Sequence, residues 1–160
     1  MNIKSKLTER DFIDVNFILL YSRTSMKIVT TIIIFFLFGS LLTAFFLPTM
    51  PLSQAIVPAV MLSAMPLMTY FTAKKNYASN KRISETIEYV IEKDNLLIKG
   101  ESFNSQLTWD KINKVTQTKN WILIWQSRQN ANPISKRDIW EGEIGELKEI
   151  LTQHNVKNNL

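Results

Sequence analysis

The sequence predicts an α+β protein, a two-helix transmembrane hairpin followed by a small antiparallel β-barrel or sheet capped by a C-terminal helix. Three observations carry this reading. Residues 28–47 and 52–73 contain no charged residue, and each run is long enough to cross a hydrocarbon core of about 30 Å as a helix. From residue 86 the pattern changes to short runs alternating with a period of two, separated by turn residues, which is the signature of strands. Ile144, Leu147, Ile150 and Leu151 then recur at intervals of three and four, which places one apolar stripe on a helix.

Residues 1–27 read as a short cytoplasmic or interfacial helix. Thr8 with Asp11 three residues later resembles a capping box, with Asp in place of Glu. The segment from Phe12 to Tyr21 is mostly apolar without a clean amphipathic face. The hairpin, residues 28–73, follows, and Pro48-Thr49-Met50-Pro51 is the whole connection between its two runs. So short a link makes the helices antiparallel neighbours with both flanks on one side of the membrane. Arg23 and Lys27 precede the first run; Lys74, Lys75, Lys81 and Arg82 follow the second. Basic flanks stay cytoplasmic, so the expectation is a multi-pass membrane protein with both termini in the cytoplasm. A signal peptide fits poorly, because the first run starts late and a second one follows at once. Small residues recur at four-residue spacing, Gly39 with Thr43, Ser40 with Ala44, and Ala55, Ala59 and Ser63. That spacing suits close packing of the hairpin on itself. Pro58 and Pro66 are both expected to kink the second helix.

The predicted tail domain covers residues 84–155. Its strands are 86–92, 96–101, 106–109, 112–118, 121–125 and 134–139, the last opened by Pro133. Trp121-Ile122-Leu123-Ile124-Trp125 is apolar on both faces and should be central. The four tryptophans, Trp109, Trp121, Trp125 and Trp140, read as core rather than as an exposed patch. Residues from Asn155 onward read as frayed. Strands in this number, closed by one helix, follow the plan of a pleckstrin-homology (PH)-like barrel.

Chemistry is scarce. There is no cysteine and one histidine, which excludes disulfides, thiolate nucleophiles and cysteine-based zinc sites. His154, near a helix end, suits the helix dipole better than catalysis. No cluster has metal-ligand spacing, and four glycines leave little room for a phosphate loop. No catalytic, cofactor or metal residue is therefore assigned, and the protein is not expected to be an enzyme. The net charge of +5 divides into +2 over residues 1–27 and +3 after residue 73. That suits an anionic leaflet and is too weak for nucleic acid. Lys136 and Arg137 are the candidate contacts for a lipid headgroup or a partner's carboxylate, with opposite directions expected for neighbours on a strand.

Four stretches carry a resemblance. They are Leu7-Thr8-Glu9-Arg10-Asp11-Phe12, Leu107-Thr108-Trp109-Asp110-Lys111-Ile112-Asn113-Lys114-Val115, the strand Trp121–Trp125, and Pro133-Ile134-Ser135-Lys136-Arg137-Asp138-Ile139. In them the chain resembles the bacterial YcxB-like family, in which an N-terminal segment and a two-helix membrane hairpin precede a YcxB-like domain. The resemblance implies a membrane-tethered, PH-like domain and no known reaction. Two functions are compatible with it. One is a non-catalytic interaction module that binds a protein partner or headgroups at the inner leaflet. The other is an immunity protein whose hairpin meets a membrane-active toxin or bacteriocin. Neither fixes an oligomeric state.

Overall fold

The computed structural model describes residues 1–47 and 52–160. The connection Pro48-Thr49-Met50-Pro51 lies outside the described residues. The described chain is an α+β fold with helices and two antiparallel sheets. One compact unit comprises Met1–Phe12 with Tyr77–Leu160, the other Ile13–Asn76.

The first unit begins with a strand where a helix is expected. β1 (Asn2–Lys6) pairs antiparallel with β2 (Thr86–Ile91), Ile3 opposite Tyr89 and Lys6 opposite Thr86. β3 (Asn95–Lys99) and β4 (Asn104–Thr108) complete a sheet of order β1-β2-β3-β4. Tyr89, Ile91, Leu96 and Ile98 fall on the buried face with Ile3, as period-two alternation requires. β5 (Lys114–Gln117), β6 (Trp121–Trp125) and β7 (Ala131–Ser135) form the second sheet, with β6 central. All five β6 residues are buried, in keeping with a strand covered on both faces. One core joins the sheets: Val115, Ile122, Ile124 and Ile134 from the second pack with Ile3, Tyr89, Leu96 and Ile98 from the first. The Tyr89 hydroxyl donates to Pro133 O at 3.0 Å, so the one polar atom of that ring has a partner.

β7 ends earlier than the alternation predicts. Residues 136–138 form a 3-10 turn, not the second half of a strand. Tertiary bonds drive the bend: Asp138 accepts from the Ser5 hydroxyl at 2.7 Å and Arg137 reaches back to β1. Pro133 sits inside β7 rather than at its start. It is tolerated there because β7 is an edge strand.

The terminal helix buries Leu147 and Leu151 in the same core. Its first turn is fixed by Glu143, whose carboxylate accepts from Trp140 N–H at 2.8 Å. Its end is a Schellman motif, not a frayed tail. Asn155 takes φ 55°, its N–H bonds Thr152 O, and Val156 N–H bonds Leu151 O. Val156 is then buried, and Lys157 O and Asn158 meet β5 at Val115.

The second unit is helical. α1 (Glu9–Ser22) starts in the first unit with the predicted capping box complete. Asp11 N–H donates to Thr8 Oγ1 at 3.2 Å, and Thr8 N–H donates to Asp11 Oδ2 at 3.0 Å. α2 (Thr24–Phe46) follows after Arg23. A 3-10 turn (Leu52–Ala55) leads into α3 (Ile56–Ser79). Pro58 therefore lies in the first turn of α3, where its missing N–H has no helical partner to lose; only Pro66 interrupts the helix interior. Helices at Thr24–Phe46 and Ser53–Ser79 are long and apolar enough to cross a membrane, and 6% of the most apolar stretch of each is buried. Phe35, Phe36, Phe45 and Phe46 are all more than 60% exposed. Among the described residues, nothing outside the neighbouring backbone of its own helix lies within 4 Å of a Cβ placed on Gly39, so no described side chain or second helix packs closely on that glycine. Ser40 does reach the turn, its hydroxyl bonding Phe36 O at 2.8 Å and approaching Gln54 O at 3.5 Å.

Candidate functional site

Lys136 and Arg137, adjacent in sequence, are engaged on different partners. Lys136 Nζ donates to Gln117 Oε1 at 3.1 Å, and Lys136 N–H to Asn120 O at 2.9 Å. Arg137 forms a fork on Asp11: Nη1 donates to Oδ1 at 3.3 Å and Nη2 to Oδ2 at 2.5 Å. Nη2 also donates to Lys6 O, and Nε lies 3.8 Å from Asp138 Oδ1. Two stretches that carry the resemblance, around Asp11 and around Arg137, thus meet in one cluster. Nothing local in the sequence announces that meeting.

Asp11 serves the capping box and the guanidinium together. Burial pushes its carboxyl up, but the Arg137 and Thr8 hydrogen bonds and the Arg137 charge outweigh this and hold it below the ordinary value of 3.8. The hydrogen bond to Asp11 raises Arg137 in turn. Leu7 O beside this cluster accepts from the Tyr77 hydroxyl at 3.0 Å, and the Phe12 and Tyr77 rings lie 6.1 Å apart. The chain therefore leaves and re-enters the first unit through neighbouring side chains.

A second basic feature lies at that re-entry. Lys81 and Arg82 line an open groove of about 660 Å3 with Asn80, Glu85 and Ser102. The Asn80 side chain caps the turn by accepting from Arg82 N–H at 3.1 Å, and the Arg82 guanidinium lies 4.6 Å from the Phe103 ring centroid. Glu85 accepts from Ser102 N–H at 3.0 Å. Hydrogen bonds from Ser102 lower its carboxyl below the ordinary value, with help from the Arg82 charge. Gly100 permits this turn, since a Cβ there would run into the Phe103 ring and the Glu85 carboxylate. Sequence reading found Lys81 and Arg82 as flanking charges and missed Ser102, which joins them only through the fold. Of the remaining flanking residues, Lys27 near the start of α2 and Lys74 and Lys75 near the end of α3 are exposed, while Arg23 is half-buried.

His154 ends the terminal helix with its ring stacked on Trp109. Its Nε2 lies 2.7 Å from Lys93 O, which also accepts from Trp109 Nε1 at 3.0 Å. A carbonyl can only accept, so Nε2 carries the proton. This is a structural use of the histidine. Trp109, Trp121 and Trp125 are buried, whereas Trp140 is 81% exposed. Trp140 departs from the core reading because it precedes the helix and its buried neighbour Ile139 takes the inward position. Trp125 Nε1 donates to Thr116 Oγ1 at 2.8 Å, and Lys114 Nζ lies 4.8 Å from its ring centroid. Among the described residues no group of three or more His, Asp or Glu could hold a metal ion.

No curated protein and no solved structure matches the chain. Residues 91–151, a stretch from the end of β2 through β7 into the terminal helix, match the family model described as YcxB-like protein, so this part of the chain is similar to a YcxB-like domain.

Proposed function

We propose that this protein is a non-catalytic interaction module held at the cytoplasmic face of a bacterial inner membrane by a two-span hairpin. The observation that carries the reading is the pairing of Lys6 with Thr86. The chain leaves the folded unit just after β1 and returns just before its antiparallel neighbour β2. A sheet cannot be shared between two sides of a bilayer, so the intervening segment crosses an even number of times. The exposed phenylalanines of α2 support crossing, because an apolar surface of that extent is a liability in water. Arg23, Lys27, Lys74 and Lys75 support a cytoplasmic start and finish. Cleavage after a signal peptide would discard β1, which argues against that role for α2.

The folded part has four strands, then three, then one helix. We read this as a PH-like arrangement whose β1–β2 connection carries the hairpin. Its cationic surface, with Lys81 and Arg82 in a groove and Lys136 and Arg137 at the β7 turn, suits acidic partners or headgroups. Because Arg137 holds Asp11, a change at Arg137 perturbs the fold together with the contact. Lys136 is the cleaner probe.

The test replaces residues 28–73 with an unrelated two-span anchor and measures capture of partners from solubilised membranes. Capture is expected to survive, and Lys136→Glu with Lys81→Glu is expected to weaken it. Capture that is lost with the native hairpin and insensitive to both substitutions would favour an immunity protein acting through its spans.

A further inference from the structure

Within the helical unit, α1 and α3 line an open pocket of about 270 Å3 that combines polar and apolar side chains. Asn16, Arg23, Thr69 and Thr72 supply polar atoms, and Leu19, Leu20 and Met68 supply apolar ones. Arg23 is the only charged residue of that lining. Its Nε is buried and has no hydrogen-bond partner among the described residues. An unpaired guanidinium N–H withdrawn from water is costly, and a planar fork of donors matches a phosphate oxygen pair.

We infer that this pocket is a phospholipid site, in which the Arg23 guanidinium takes the headgroup phosphate and the Leu19, Leu20 and Met68 side chains meet the first methylenes of an acyl chain. The inference rests on the membrane reading above. Under that reading depth is set by the chain: Arg23 immediately precedes α2, and Thr72 and Ala73 close the second charge-free run. Both therefore lie where a hydrocarbon core gives way to headgroups. Thr69 already donates its hydroxyl to Met65 O at 2.9 Å, so Thr72 is the hydroxyl placed to add a donor. No carboxylate lines the pocket to receive a choline or ethanolamine ammonium. Phosphatidylglycerol, whose headgroup adds no positive charge, is therefore the preferred occupant over phosphatidylcholine.

Native mass spectrometry of the full chain in detergent, titrated with each lipid, tests this. Wild type should retain phosphatidylglycerol over phosphatidylcholine, and Arg23→Gln should weaken that retention about tenfold, the equivalent of one charge-assisted hydrogen bond. Lys119→Gln, which removes an equal charge from an exposed turn, should leave it unchanged. Arg23→Lys keeps the charge without the fork and should fall between, which covers the case in which Arg23→Gln fails to fold. Equal retention by wild type and the Arg23 variants, or no preference between the lipids, would overturn the inference. Displacement of the lipid by excess inorganic phosphate would also overturn it, by identifying a free-anion site. Alkaline carbonate extraction separates the two readings. Wild type that stays in the membrane without lipid preference sinks the site alone, whereas wild type that washes out sinks the anchor and the site with it.

Discussion

Arg137 and Asp11 lie 126 residues apart and join the N-terminal strand, the α1 cap and the β7 turn. The Asp11 side chain is 15% exposed and that of Arg137 is 52% exposed, so solvent screening keeps the pair near the top of the surface range, about 1 kcal/mol. A double-mutant cycle with Asp11→Asn and Arg137→Gln, read by thermal unfolding, should return a coupling of that order. The lowered carboxyl also sets a pH dependence. Its stabilisation is present above the ordinary value of 3.8 and is lost as pH falls through the lower folded value. Asp11→Asn should flatten this acid limb. Burial raises the Tyr89 hydroxyl well above its ordinary value of 10.0. That contribution is complete below pH 10 and erodes as pH rises beyond it. Tyr89→Phe should remove the alkaline loss and cost about 1 kcal/mol at neutral pH through the unpaired Pro133 carbonyl. Trp125→Ala should cost about 3–5 kcal/mol as a large-to-small core change, and unchanged unfolding would show that the ring contributes no packing. Trp125 was legible because a run of five apolar residues rich in aromatic and β-branched types, set between polar stretches, reads as a strand covered on both faces. The Asp11–Arg137 pair was not legible, because charged residues give no local signal of a partner so distant in the chain.

At the level of elements, legibility followed the density of inward apolar residues. β2, β3 and β6 each place at least two in the core, and their alternation is visible in the sequence. β1 offers Ile3 and Ser5 as its buried pair, set among Asn2, Lys4 and Lys6, so it reads as polar and its pairing with β2 is hidden. The terminal helix shows the same division: its apolar stripe was readable, whereas the Asn155 turn that returns the chain to Val115 depends on one left-handed residue. Two outcomes follow from these elements. Removing residues 1–6 strips the edge strand from β2 and should destabilise the fold by several kcal/mol, seen as a lowered unfolding midpoint; an unchanged midpoint would make β1 dispensable. Asn155→Gly should be neutral or stabilising and Asn155→Val destabilising by about 1 kcal/mol, since a β-branched residue resists positive φ. Equal stability of the two variants would show that the Schellman turn does not form.

On the scale of the whole molecule, the folded unit is discontinuous in sequence, Met1–Phe12 with Tyr77–Leu160. The Phe12 and Tyr77 rings lie 6.1 Å apart, so a short flexible linker should be able to replace residues 13–76. That excised protein should be soluble and fold cooperatively, whereas residues 84–155 alone, lacking β1 and Val156, should not. The account stands on this unit lying wholly on the cytoplasmic side, with the membrane segment inserted between two paired strands. The absence of native cysteine allows a direct measurement: single substitutions Lys4→Cys, Thr49→Cys and Lys119→Cys, labelled with a membrane-impermeant maleimide in intact cells and again after lysis. The account predicts labelling of Thr49→Cys in intact cells, and of Lys4→Cys and Lys119→Cys only after lysis. Labelling of Lys119→Cys in intact cells, or of Lys4→Cys and Lys119→Cys from opposite sides, would contradict it.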